Sequence, residues 1–468
     1  MKRLVKAFMS RVYLWLLAPQ YLKRDSHARH QEIIEEIELR VFGGRTVTDY
    51  ERSAPSELHV LARRSLAQCL CQRKLLGSRG IQALGQLVYG VSLPGLLMVL
   101  CWGTWRDRNT APLDSTAHDV FVFFLAERLK HSLDPAVFPG QAYFQRRART
   151  RFGWRETRFV FQVLRACPRI ALYPELMANI LRWTGHYGYA LQHFSPHTVI
   201  HFFESTASSS LMTAFLHQHE IAHINIQHGE RWKTADAAFS AFDEIHVWGE
   251  YFRELFHWQK SQAEKIVVAG HPAHLNLCEQ SRCENQPRPK RMLLIDPCIY
   301  GIDSFDYPAL LRILGRLDSE WEIRIRRHPT DRRADLELLV ALNRETRLKE
   351  SGIQIMEERP EEVPIDEALS RTRVVVGVTS AAMIDAWIAG CKVIHLPSAA
   401  APLRLLDRYQ GSPNVWDASN EDGMQHFIDS PADLGIEEWK RVNHVTRLIS
   451  DLPQRQDVNH ASLFRKYA

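Results

Sequence analysis

The chain has 468 residues, enough for two or three domains, and its 45% hydrophobic and 24% charged content is that of a soluble globular protein. A formal charge of +5 suits a phosphate-bearing ligand or an anionic membrane surface. It is too small to demand nucleic acid, and no RNA- or DNA-binding motif is present. The 8 cysteines are scattered and none forms C-x-x-C, which predicts reduced thiols in a cytoplasmic protein rather than a disulfide framework.

The first residues, MKRLVKAFMSRVYLWLLAPQYLKR, are basic and apolar, but Lys6 and Arg11 interrupt the apolar run and no small-x-small cleavage site follows. That argues against a signal peptide and leaves an amphipathic interfacial helix or an ordinary surface helix. Residues 80–105 carry no charge and are long enough for one membrane span. Ser92, Pro94 and Gly95 break the stretch near its middle, so two short buried or membrane-dipping helices are expected.

From about residue 110 short β-branched or aromatic runs alternate with helical stretches. HDVFVFFLA (118–126) and TVIHFFES (198–205) read as strands, SSSLMTAFLHQHE (208–220) as a serine-capped helix, and IAHINIQHGE (221–230), FDEIHVWGEY (242–251) and EKIVVAGHP (264–272) as further strands. His219-Glu220-Ile221-Ala222-His223 matches H-E-x-x-H, a zinc-protease pattern that works only with both histidines on one helix. Here the helix is expected to end near Glu220 and a strand to begin at once, so a metalloprotease is not the reading.

A polar linker, SRCENQPRPKR (281–291), precedes a second alternating series: RMLLIDP, a helix from Tyr307, WEIRIRRHP, a helix at 334–345, GIQIME, PIDEALSRT, RVVVGVTS, AAMIDAWIAG and KVIHLP. Regular β-α alternation predicts parallel sheets with helices on both faces. The fold class expected is α/β, two Rossmann-like domains facing a cleft, at 111–283 and 284–468, preceded by a helical, membrane-associated region at 1–110.

Ligands bind at the carboxyl ends of such strands, and the candidate residues fall there. Thr379 and Ser380 open a helix whose free N–H groups and dipole favour a phosphate; a plain N-cap is the simpler alternative. Arg326, Arg327, His328 and Pro329 end a strand, and a histidine there can donate to a departing phosphate. In the first domain Gln227, His228, Gly229 and Glu230 form a glycine turn with two candidate bases. Glu204 and His271 end neighbouring strands.

His328-Pro329 followed by Thr379-Ser380 resembles the donor-phosphate motifs of GT-B-type bacterial surface-polysaccharide glycosyltransferases. These include sialyl- and polysialyltransferases, capsule Kdo transferases and CDP-glycerol glycerophosphotransferases. The resemblance covers roughly residues 198–400. Those families carry an acidic-Gly pair as catalytic base; here Gly229-Glu230 has the opposite order. The resemblance implies an inverting transferase with a CMP- or CDP-linked sugar donor and no cofactor or catalytic metal. Its catalytic candidates are Glu230, His228 and His328, and its donor-site candidates are Arg327, His328, Pro329, Thr379, Ser380 and Asp385. Glu204, Gln227, Gly229 and His271 fall on the acceptor side. The acceptor it implies is a lipid-linked or other surface glycan at the cytoplasmic face of the inner membrane. A sugar-nucleotide epimerase and a non-catalytic scaffold of a polysaccharide-assembly complex are the alternatives.

Overall fold

The computed structural model describes residues 27–75, 79–108, 120–123, 142–145, 149–202, 205–227, 234–268, 288–296, 305–327, 336–378, 380–396, 414–418, 420 and 422–430. They fall in two compact units, one containing Asp25–His271 and the other Pro272–Thr446.

The first unit opens with helices α1 (His27–Val41), α2 (Val47–Ser53), α3 (Glu57–Leu75) and α4 (Arg79–Arg108). Helix α1 buries Ile33, Ile34, Ile37 and Val41, a stripe at helical spacing. It stops where Gly43 and Gly44 take left-handed φ values of +71° and +78°. Most of α3 is buried, so its polar groups must find partners inside. Arg64 donates to the Lys260 carbonyl at 2.8 Å, and Ser65 Oγ accepts from the Leu211 N–H at 3.2 Å. Gln72 donates to the carbonyls of Ser205 and Asp236 at 2.6 and 2.7 Å. The helical region therefore shares one core with the sheet that follows, an apolar cluster running from Ile33 to Ala241.

Residues 80–105 are not two buried helices. They belong to the single helix α4, which passes through Pro94. A proline inside a helix removes one backbone bond, and Ser92 Oγ donates to the Tyr89 carbonyl at 3.0 Å beside it. Among the described side chains Leu93, Leu96, Leu100 and Thr104 face the core, while Leu87, Val91, Met98 and Trp102 are exposed.

The chain then continues through β1 (Val120–Phe123), β2 (Ala142–Gln145), α5 (Trp154–Ala166), a 3-10 turn (Pro168–Leu172), α6 (Pro174–Phe194), β3 (Thr198–His201), α7 (Ser209–His217), β4 (Ala222–Ile226), β5 (Ala241–Val247), α8 (Glu250–Trp258) and β6 (Gln262–Val268). The six strands form one parallel sheet of order β2-β1-β3-β4-β5-β6. Helix α7 ends at His217, Glu220 turns the chain with φ +57°, and β4 starts at Ala222. His219 and His223 thus straddle a helix-to-strand turn, as the alternation predicts.

Gly188 on α6 shows how tightly this unit is closed. A Cβ there would stand 2.5 Å from Glu156 Oε1 and 2.7 Å from the Arg151 carbonyl. Glu156 is itself buried, its Oε2 accepting from the Gly153 N–H at 2.7 Å to cap α5. Gly188→Ala is expected to cost roughly 1–3 kcal/mol, read as a lower midpoint in thermal or urea unfolding.

The second unit holds β7 (Arg291–Ile295), α9 (Tyr307–Leu314), β8 (Glu322–Arg326), α10 (Glu337–Leu342), α11 (Thr346–Glu350), β9 (Gln354–Glu358), α12 (Ile365–Ser370), β10 (Val374–Gly377), α13 (Ala381–Ile388), β11 (Lys392–His395), β12 (Val415–Asp417) and α14 (Met424–Asp429). Its sheet is again fully parallel, of order β12-β11-β10-β7-β8-β9. The central strands are buried on both faces, which is why Leu293, Val375 and Val393 sit in unbroken apolar runs. Counted from β9 the strands come third, second, first, fourth, fifth and sixth in the chain. That is the doubly wound Rossmann order, and it reverses between β7 and β10. The protein is α/β, two Rossmann-like parallel sheets with a helical N-terminal region.

Candidate functional site

In a doubly wound sheet the crevice for a ligand opens at the carboxyl ends of the two strands where the order reverses. Here those strands are β7 and β10. Strand β10 ends at Gly377, where a Cβ would stand 3.0 Å from Met383 Sδ and 3.1 Å from Ile295 Cβ. Glycine thus lets the start of α13 close down on the end of β7. Ser380 is the N-cap of α13, with extended backbone and its Oγ accepting from the Ala382 N–H at 3.3 Å. The eight-residue helix behind it is buried from Met383 to Ile388, including Asp385 at 3% exposure.

On the other side of β7, strand β8 ends at Arg326, whose guanidinium lies within the sheet edge. Nη1 donates to Glu358 Oε1 at 2.5 Å and Nη2 to the Val363 carbonyl at 3.0 Å. Arg327 is also buried, its Nε donating to Glu357 Oε1 at 2.9 Å. Asp296, the residue after β7, is buried and donates its N–H to the Arg326 carbonyl at 3.0 Å. With strands about 4.8 Å apart, the exit of β8 and the start of α13 flank the end of β7 at a separation of roughly 10 Å.

The sequence-predicted residues divide as follows. Arg327, Ser380 and Asp385 are brought to this edge and to the helix behind it. His328, Pro329 and Thr379 immediately adjoin it in the chain but lie outside the described residues. In the first unit Gln227 follows β4 and is turned into the fold: its Oε1 accepts from the Trp248 N–H and its carbonyl from Trp248 Nε1, both at 3.0 Å. Glu204, His228, Gly229, Glu230 and His271 lie outside the described residues.

Neither protein-family models nor curated protein sequences give a match to the chain. Solved structures do. A UDP-N-acetylglucosamine 2-epimerase is similar at 14% identity and TM-score 0.43, covering 72% of this chain and 93% of that one. The UDP-GlcNAc 2-epimerase of Neisseria meningitidis is similar at 13% identity and TM-score 0.40, covering 69% and 97%. The wall teichoic acid polymerase TagF is similar at 11% identity and TM-score 0.37, covering 79% and 95%.

Two residues of the site escaped the sequence reading. Asp296 had a signal, a carboxylate placed between an apolar strand and Pro297. Gly377 had a weaker one, a glycine between Val376 and Val378.

The buried histidines of the first unit lie elsewhere, and they differ in charge. At the amino-terminal edge of the sheet His217 donates to Glu57 Oε1 and Asp243 Oδ1, each at 2.7 Å. Burial opposes its charge, but hydrogen bonds to Asp243 and Glu57 outweigh this and push its pKa up to about 10. Beside it His223 bonds Thr213 Oγ1 at 2.7 Å and the Tyr187 hydroxyl at 3.0 Å. Burial holds His223 well below its ordinary range, and holds His201 down to about 3. These are structural groups, one charged and two neutral. Among the described residues no three or more His, Cys, Asp or Glu side chains are grouped so as to hold a metal ion.

Proposed function

We propose that the protein is an inverting, metal-independent glycosyltransferase. It would move a sugar from a nucleotide-activated donor, CMP- or CDP-linked, to a surface glycan or glycolipid in capsule, O-antigen or lipopolysaccharide synthesis. The observation that carries this is the serine-capped start of α13 at the reversal point of the second sheet, across β7 from the basic exit of β8.

In this reading the acceptor hydroxyl attacks the anomeric carbon while its proton passes to Glu230, with His228 as the other candidate base. The bond from that carbon to the phosphate oxygen breaks, and the electron pair leaves on the nucleotide. Backbone N–H groups at the start of α13, the hydroxyls of Thr379 and Ser380, and His328 stabilise the charge that develops there. Arg327, paired with Glu357, holds the exit of β8, which His328 and Pro329 follow in the chain. The site of action would be the cytoplasmic face of the inner membrane.

Thermal unfolding with CMP, CDP, UDP or GDP, in the wild type and in His328→Ala, tests the reading. A ligand at 100 times its Kd stabilises the folded state by about 2.7 kcal/mol. Stabilisation by CMP or CDP, lost in His328→Ala, is the expected result. Stabilisation by UDP or GDP alone would overturn the cytidine donor, and no response to any nucleotide would overturn the transferase. Turnover of a nucleotide sugar without any acceptor would favour an epimerase instead.

A further inference from the structure

The exposed sides of α4 and of the segment tied to it make up one candidate surface. Helix α4 is tied at both ends to the segment 152–172: Thr104 Oγ1 accepts from the Phe152 N–H at 2.7 Å, and Gln86 Nε2 donates to the Leu172 carbonyl at 3.3 Å. The segment therefore begins beside one end of α4 and finishes beside the other, while the helix packed along α4 is α6. Eighteen residues of helix span about 27 Å, so the surface is long.

Its two halves have complementary chemistry. On α4 the outward residues are apolar, Leu87, Val91, Met98, Trp102 and Trp105 among them, each at least 57% exposed. On α5 the outward stripe is Trp154, Arg158, Phe161 and Arg165, spaced by four, three and four residues and so on one face. Trp154 is 79% and Phe161 66% exposed. Arg155 and Arg169 are exposed on the same segment. None of these four arginines has a carboxylate partner among the described residues. The only carboxylate of 154–172, Glu156, is buried and spent on capping α5.

We infer that this face docks the first unit in the plane of an anionic lipid bilayer. The apolar side of α4 would enter the headgroup boundary with Trp102 and Trp105, where amphipathic rings are favoured. The exposed arginines of α5 and the 3-10 turn would meet lipid phosphates. The 21 residues of Gln82–Trp102 are long and apolar enough to cross a membrane. Crossing, however, would strip Leu100 from the core and leave the Phe152 N–H without its Thr104 acceptor. An in-plane helix keeps both. The inference stands apart from the donor chemistry, because lipid binding is read without any nucleotide.

The test is flotation of the full chain with phosphatidylcholine vesicles, with and without phosphatidylglycerol, at low and high salt. The expected result is binding to the anionic vesicles that weakens with salt. Each basic residue near an anionic surface is worth roughly fivefold in binding, so Arg158→Glu/Arg165→Glu should weaken it by more than tenfold. Leu87→Asp/Val91→Asp should abolish it. The net-charge control Arg344→Glu/Arg347→Glu, on the second unit, should leave binding unchanged, and all variants should melt near the wild-type temperature, since they are surface changes. Equal loss in the control would overturn the assigned face. Binding that survives both the arginine reversals and high salt would overturn in-plane docking. A soluble dimer that ignores vesicles and dissociates in Leu87→Asp/Val91→Asp would make the face a contact between copies of this chain.

Discussion

Arg326→Met should lower the unfolding free energy by about 3–5 kcal/mol, the cost of leaving one member of a buried ion pair without its partner. Arg326 and Glu358 face each other in register on β8 and β9, both under 10% exposed, with 2.5 Å between Nη1 and Oε1. The second Arg326 nitrogen holds the Val363 carbonyl ahead of α12. Methionine fills similar volume but supplies no donor, so Glu358 must either stay charged without a partner or take up a proton. For a unit of this size each kcal/mol lowers the melting temperature by roughly 2–4 °C. A drop of about 10 °C is therefore expected. The double variant Arg326→Met/Glu358→Leu should recover most of it, because a buried pair replaced whole by apolar groups is often neutral. A single variant that melts within a degree of wild type would show that the pair is solvated.

The same pair marks where sequence reading stops. WEIRIRRHP announces a strand with alternating apolar residues, and β8 lies there. Nothing in that string says that Arg326 turns into the sheet edge, because its partner Glu358 lies 32 residues away. Gln227 is a second case. At a strand end followed by a glycine it reads as a ligand contact, but it meets Trp248 across the sheet, a pairing set by β4–β5 register. Helix α4 is a third. Serine, proline and glycine within 92–95 predict a break, yet local breakers are outweighed when Leu93, Leu96 and Leu100 continue one stripe into a core. By contrast the two β-α series and the turn at Glu220 were legible, because they rest on local periodicity. The reversal between β7 and β10 was not, since strand order is a property of pairing. That order puts Ser380, the N-cap of α13, at the reversal point of the sheet rather than at just another capped helix.

Stability should be greatest near neutral pH and fall on both sides, for opposite reasons that sit within the first unit. His201, His186 and His223 are buried neutral. Burial lowers the first two to about 3 and about 4, and the third well below its ordinary value. In the unfolded chain each titrates near 6.5. Below that pH the unfolded state binds the extra protons, so their contribution is present above about 6.5 and lost as pH falls toward the folded values. Each can remove up to about 1.4 kcal/mol per pH unit in that window. His217 behaves in reverse. Its folded pKa is raised to about 10, so the stability gained from Glu57 and Asp243 is complete below 6.5 and lost as pH rises through 10. Urea unfolding across pH 5–10 should trace both limbs. His201→Phe keeps an aromatic ring against Trp183 and should shallow the acid limb by about one proton while leaving the alkaline limb alone. His217→Gln should flatten the alkaline limb and lower stability at pH 7. If His217→Gln instead changed only the acid limb, His217 would be neutral in the folded protein. The link from α3 through Glu57 to Asp243 on β5 would then rest on neutral hydrogen bonds rather than on a charge.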